Sequence, residues 1–313
     1  MMYQWSFKIT GLIPHQAKLK RKIWLKKDEL LLKQNGNDLI AYLLGAEEDS
    51  FTNAEKVLPY LWMTCLVSHN SPDLIQKGGR SILSKGDLGT GNPLSLGSAV
   101  SISYPDEAIQ DIENYAHRFI KFVGGVHDNY IEVVENNAFI KIALEYFYDA
   151  QKKFVYNDEG FISAMISLES LFNEGPSDIK YKLSHRAGFI LGLSGADSVQ
   201  VFEKLKALYN MRSKLVHGGG TPPYDPDRGH ISTYTRQAII IFLILLHNKK
   251  RSSIGKKRRK ESLLKEIDYA MLDTKKRALL QKEIKKGLKY FRLQIPRTFD
   301  GEGKNGGYRV TAW

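Results

Sequence analysis

At 313 residues, with 42% hydrophobic residues, 26% charged residues and a net charge of +12, the chain has the balance of one large globular domain or two ordinary ones. Its single cysteine, Cys65, excludes an internal disulfide framework and a cysteine-rich zinc site, and reads as a buried apolar residue within the Leu61–Val67 run. The charge is lopsided: from Lys249 onward there are 20 Lys/Arg against 7 Asp/Glu, and before it 26 against 27. A basic segment of this kind points either to a polyanionic partner or to a solvated helical face.

The opening Met-Met-Tyr-Gln-Trp-Ser-Phe-Lys has no basic region followed by an apolar one, and the longest apolar run, Ala238 to Leu246, is too short to cross a bilayer. A cytoplasmic protein with no membrane partner is the expectation.

Residues 1 to about 46 read as short strands. Tyr3–Ile9 alternates roughly with period two, Leu19–Leu25 and Glu29–Lys33 flank a Lys-Lys-Asp turn, and Asn35-Gly36-Asn37-Asp38 turns the chain into Leu39–Leu44. Phe51–Ser68 is helical in pattern. Gly78-Gly79, Gly86, Gly89 and Gly91-Asn92-Pro93 suggest a long flexible loop, and Leu94–Tyr104 one more strand. This loop lacks the Gly-Lys-Ser/Thr that would close a phosphate-binding turn.

From Pro105 the period becomes helical. Asp106–Val123, Glu135–Phe154, Glu159–Phe172, Ser177–Leu193, Ala196–His217, Ile231–Asn248 and Lys260–Phe291 carry apolar residues at three- and four-residue spacing. Glu159–Phe172 is apolar almost throughout, as a central bundle helix should be. The expected fold class is α+β: a small N-terminal α+β domain (1–104), an all-α helix bundle (105–295) and a flexible basic tail (296–313).

Leu208-Tyr-Asn-Met-Arg-Ser-Lys-Leu-Val-His-Gly218 sets Arg212 five residues before His217 at a helix end, with Gly218 where a left-handed residue would close the helix. The spacing alone is weak, since 14 arginines and eight histidines in 313 residues give roughly 0.4 such pairs by chance (14 × 8/313). The context adds weight. Arg212 and His217 lie about 140° apart on an ideal helix and can line one groove. The helix C-terminus favours a cation, which suits a proton-donating histidine. Asn210 shares the face of His217, where it would orient the imidazole or contact a ribose.

An arginine and a histidine suffice to cleave RNA without a metal. A histidine takes the 2′-hydroxyl proton, the 2′-oxygen attacks phosphorus, a protonated histidine supplies the leaving 5′-oxygen, and arginine stabilises the added negative charge. One pair supplies one proton-transfer group, so the chemistry calls for a twofold dimer with a shared site. No histidine or carboxylate cluster has metal-ligand spacing, and no Ser-His-Asp order can be assigned. No cofactor is expected.

Three blocks in order carry a resemblance: Ile166-Ser-Leu-Glu-Ser-Leu-Phe172, Lys182-Leu-Ser-His-Arg-Ala187 and the Leu208–Gly218 stretch. From Gly160 to Gly220 the chain resembles the HEPN superfamily, in the branch similar to the ApeA phage-defence proteins. The resemblance implies a four- or five-helix bundle that dimerises, with an Arg-x4–6-His motif at the dimer cleft acting as a metal-independent endoribonuclease. That motif falls on Arg212 and His217. Glu169 matches the acidic position of the third helix and Arg186 the basic position of the next, and an ion pair between these two is expected. Ser213 departs from the Asn, Asp or His that follows the arginine in many toxin-type members, and is expected to bond a phosphate or its own helix.

These residues point to an RNase effector of bacterial phage defence or abortive infection. Its expected partners are RNA (tRNA or another structured RNA), a second copy of the chain, and a phage-derived trigger or antitoxin. Residues 1–104 would act as the sensor. Lys256, Lys257, Arg258, Arg259 and Lys260 form a run suited to a phosphate backbone. His185 reads as an ordinary surface or core residue, and Arg228 and His230 as part of a mobile Pro-rich loop. Two other readings stay open: a dimeric module that binds RNA or protein without cutting, and a target for an antitoxin nucleotidyltransferase acting on Tyr209 or Tyr224, which flank the motif.

Overall fold

A computed structural model describes residues 3–10, 22–26, 29–36, 38–46, 50–67, 73–81, 112–153, 157–175, 177–218, 228–250 and 260–294. The Leu94–Tyr104 strand, the glycines from Gly86 to Gly91, Tyr224, Lys256–Arg259 and the 296–313 tail lie outside them. The chain is α+β, as expected, and forms two compact units: residues 1–131 with 291–313, and residues 132–290. The division falls inside a helix, past the change of periodicity near residue 105.

The first unit holds a five-stranded antiparallel sheet in the order β2-β3-β4-β1-β5. The strands are β1 (Tyr3–Thr10), β2 (Ile23–Lys26), β3 (Leu30–Asn35), β4 (Asp38–Ala46) and β5 (Asp73–Ser81). Gly36, at φ 60°, makes the turn between β3 and β4 that its Asn-Gly sequence announces. Helix α1 (Ser50–Thr64) packs against β4 and β5. Leu30, Leu32, Leu39 and Ala41 of the sheet and Leu61, Met63 and Cys65 of the α1 region are buried. Cys65 is therefore the interior residue its surroundings suggest.

The segment around Gly78-Gly79, expected as loop, is strand β5. Gly79 pairs with Trp5 and Gly78 with Ser6, and the register shifts between Ser6 and Phe7. Glycine inside a strand marks such an irregularity and weakens the local signal, so the stretch mimics a loop.

Helix α2 (Ile112–Glu135) continues through Gly124-Gly125, past the expected end at Val123, and Gly124 lies near the carbonyl of Trp24. Asn136 and Asn137 end it by bonding back to Glu132 O and Val133 O.

The second unit is a helix bundle: α3 (Ala138–Lys152), α4 (Asp158–Phe172), α5 (Ile179–Ser194), α6 (Ser198–Val216), α7 (Arg228–Lys250), α8 (Lys260–Leu272) and α9 (Thr274–Gln294, whose last residues belong to the first unit). Helix α7 is the spine. Every residue from Ala238 to Leu246 is buried, and Phe242 meets Phe139 and Phe172 edge-on. Its 21-residue stretch Arg228–Asn248 contains an 18-residue window of mean hydropathy 1.3, long and apolar enough to cross a membrane by composition, but 67% of that window is buried inside the bundle.

Arg228 opens α7 rather than sitting in a loop. It is 1% exposed, donates to Asp158 at 2.8 Å and lies over the Phe161 ring. The expected Lys260–Phe291 helix is two helices. Asp273 caps α9 by accepting from the backbone N–H groups of Lys275 and Lys276, and Arg277 turns back to the carbonyls of Ala270 and Met271 at the end of α8. Continuous helical periodicity across the break hid it from the sequence.

Candidate functional site

Helix α6 begins at Asp197, whose carboxylate accepts from Val199 N and Gln200 N, each at 3.0 Å. It buries only Val201, Leu205 and Leu208, a narrow stripe at i, i+4 and i+7. Small residues let it lie close to α5: Gly192 receives Ser198, and a Cβ at Gly188 would meet Ser198 O at 2.9 Å. The rest of α6 is left accessible, and the motif sits there.

The helix ends as the sequence predicts. His217 is its C-cap (φ −96°, ψ 17°) and donates its backbone N–H to Ser213 O at 3.1 Å. Gly218 follows at φ 77°, and its N–H bonds Leu215 O. The His217 side chain is exposed at this rim. Ser213 is half-buried, and its carbonyl serves the helix end. Asn210 does not orient His217: its amide oxygen accepts from Lys180 Nζ of α5 at 3.3 Å.

Glu169, the one charged residue of α4 beyond its first turn, faces Arg212. Its Oε1 lies 3.5 Å from Arg212 Nε, with side chains 18% and 23% exposed. The two atoms are buried and attract, but neither forms a hydrogen bond. The guanidinium also lies 5.9 Å from the ring of Tyr209, one turn back. Burial pushes the Glu169 carboxyl above its ordinary range, and Arg212 pulls it partly back. Burial first, then the Glu169 charge, raises the Tyr209 hydroxyl, with Arg212 opposing. Among the described residues the terminal nitrogens of Arg212 donate to no partner.

Arg186 is the opposite case, and the expected Glu169–Arg186 pair is not formed. Arg186 Nε and Nη2 make a fork to Asp268 of α8 at 2.8 and 2.6 Å, Nη1 donates to Phe172 O at 2.7 Å, and Glu174 lies 3.5 Å away. With its side chain 7% exposed and its donors committed, Arg186 is a strut joining α5 to α8 and the end of α4. The expectation fails because the fork on Arg186 is filled by Asp268, 82 residues away, which only the packing of α8 on α5 brings near.

Of the basic run, Lys260 alone is described. Its ammonium lies 5.6 Å from the Phe139 ring, and burial pushes its pKa below the ordinary value against the pull of Glu174 and Glu261. It packs on the bundle more than it faces solvent. His185 stacks on Tyr181 at 5.3 Å and meets Phe202 edge-on, an exposed aromatic group along α5 and α6. His230 stacks on Tyr234. Among the described residues no group of three or more His, Cys, Asp or Glu converges as metal ligands would.

The structure thus brings Arg212, Glu169 and Tyr209 together, places His217 at the end of the same helix, and sets Arg186 and Asn210 to other tasks. The Tyr209 contact was readable as an i, i+3 pair. Asp268 had no sequence signal. Comparison with protein-family models, curated proteins and solved structures gives no match.

Proposed function

We propose that the helical unit is a metal-independent endoribonuclease of the HEPN type, acting in the cytoplasm as a toxin-like effector of bacterial defence. The observation that carries the reading is the contrast between the two arginines. Arg186 has its fork filled by Asp268 and Phe172, while Arg212 is half-buried, steered by Glu169 and Tyr209, and keeps its terminal donors for a ligand. A guanidinium held that way suits a phosphate.

The reaction divides among few groups. Arg212 binds the scissile phosphate and stabilises its added charge in the transition state. His217 of one copy takes the 2′-hydroxyl proton as the 2′-oxygen bonds to phosphorus. The P–O5′ bond breaks, and His217 of a second copy gives its proton to the 5′-oxygen. The products are a 2′,3′-cyclic phosphate and a 5′-hydroxyl. Glu169 positions Arg212. The dimer is supported by apolar surface at the motif: Val216, next to His217, is 50% exposed.

Purified protein should cut single-stranded RNA in EDTA and leave cyclic phosphate ends. His217→Ala should abolish cleavage while sedimentation still shows a dimer. Cleavage at the parent rate in that variant removes His217 from the mechanism. The Glu169–Arg212 contact favours a second reading, in which the pair is structural and the dimer binds RNA or a protein without cutting. Under it no cyclic phosphate appears at any protein concentration.

A further inference from the structure

Helices α8 and α9 form a hairpin that the motif does not use. Its turn is rigid: Asp273 caps α9, Arg277 closes the carbonyls at the end of α8, and Arg277 also lies over Phe189 of α5. Helix α9 is seated on the bundle through Gly287, which lies directly against Ile244 of α7. Leu280, Ile284 and Leu288 are buried, so the apolar face of α9 is spent on the bundle. Arg186 anchors α8 through Asp268, the residue before Tyr269.

Between the two helices runs a groove of about 350 Å³ lined by Lys265, Glu266, Tyr269, Lys276, Leu279 and Glu283. Tyr269 is 46% exposed, and its ring carries two ammonium groups, Lys276 Nζ at 4.6 Å and Lys265 Nζ at 5.6 Å. Leu279 is 67% exposed and Leu272 at the hairpin tip 87%. Helix α9 itself holds eight Lys/Arg against one Asp/Glu. Lys275, Lys282, Lys286 and Lys289 are all exposed at i, i+7, i+11 and i+14, a stripe about 21 Å long at 1.5 Å per residue.

We infer that this groove and the stripe beside it bind single-stranded RNA, with a nucleobase stacked on Tyr269 and the backbone on the lysines of α9. The inference rests on the RNA reading above and names where the strand is held. A half-exposed ring flanked by exposed ammonium groups rather than packed side chains can exchange them for a base. Stacking a base on an aromatic outweighs an exposed cation–π contact, and each released ammonium can then pair with a phosphate. A duplex hides its bases and offers Tyr269 nothing to stack. An anionic membrane would need an apolar face to insert, and that of α9 is already buried.

The test is fluorescence anisotropy with a 5′-labelled 20-nucleotide oligoadenylate, in EDTA, on full-length His217→Ala protein so that the probe stays intact. Tyr269→Ala should weaken binding roughly tenfold or more, and Tyr269→Phe should stay within about twofold of the parent. Lys276→Gln should lower the slope of log Kd against log salt by about 0.7, one phosphate contact. Parent-like affinity in Tyr269→Ala overturns the inference. So does tighter binding of a duplex of the same length, or binding of phosphatidylserine vesicles with no affinity for the oligonucleotide. A protein that binds through Tyr269 yet never cleaves keeps this site and loses the nuclease. One that cleaves with Tyr269→Ala at the parent KM does the reverse.

Discussion

Neutralising Glu169 tests the electrostatics of the site most directly. In Glu169→Gln the shape is kept and the charge removed. Unit charges 3.5 Å apart attract by roughly 5 kcal/mol at an effective dielectric near 20. Breaking a buried pair commonly costs about 3–5 kcal/mol. Here the carboxyl is nonetheless held above its ordinary range, with burial the largest cause and Arg212 already included on the other side. Charging Glu169 is therefore less favourable in the folded chain than in the unfolded one. Glutamine, which resembles the protonated acid, should leave stability at pH 7 unchanged or slightly higher.

The sign with pH follows from proton binding. A raised carboxyl pKa gives stability that is full below the ordinary value and is lost as pH rises through the folded one, because the folded chain holds a proton the unfolded chain has released. Urea denaturation of parent and variant from about pH 4.5 to pH 8 should show a decline in the parent that the variant lacks. Activity should move the other way. With Arg212 no longer steered, kcat should fall roughly 10- to 100-fold, the scale of a misplaced catalytic group. A loss of more than about 2 kcal/mol at pH 7 would refute the balance argued here, and an unchanged kcat would refute the positioning role.

Asp268→Asn should destabilise the chain by about 1.5–3 kcal/mol, since it weakens the fork on Arg186; chemical denaturation measures it, and cleavage per folded molecule should persist. Gly287→Ala places a methyl against Ile244 and should cost about 1–3 kcal/mol, read as a lower urea midpoint. His127 on α2 is fully buried, its ring meets Tyr60 edge-on at 4.9 Å, and among the described residues neither of its nitrogens has a hydrogen-bond partner. Burial pushes its pKa down to about 3, and the nearby Tyr60 backbone offsets little of that. The unfolded chain then takes up a proton that the folded one refuses. Stability should fall as pH drops from about 6.5, by up to about 1.4 kcal/mol per pH unit, and His127→Phe should flatten the fall. The described tryptophans, Trp5, Trp24 and Trp62, all belong to the first unit, so tryptophan fluorescence reports its unfolding.

What could be read along the chain was local. The period of apolar residues marked the strands before Ala46 and the bundle helices after residue 105, because burial of one face imposes a spacing of two or three to four residues. Gly218 could be placed as the left-handed residue closing α6, since the helix end is decided within a few residues. The break at Asp273 and strand β5 escaped because unbroken periodicity and a glycine pair give the opposite local signal.

The division of labour between the two arginines was decided only by tertiary structure. From the sequence alone Glu169 could have served either. Packing α8 against α5 brings Asp268 to Arg186 across 82 residues, and packing α6 against α4 leaves Glu169 to Arg212. A carboxylate pairs with whichever cation the helix packing sets beside it, and that neighbour is a property of three dimensions.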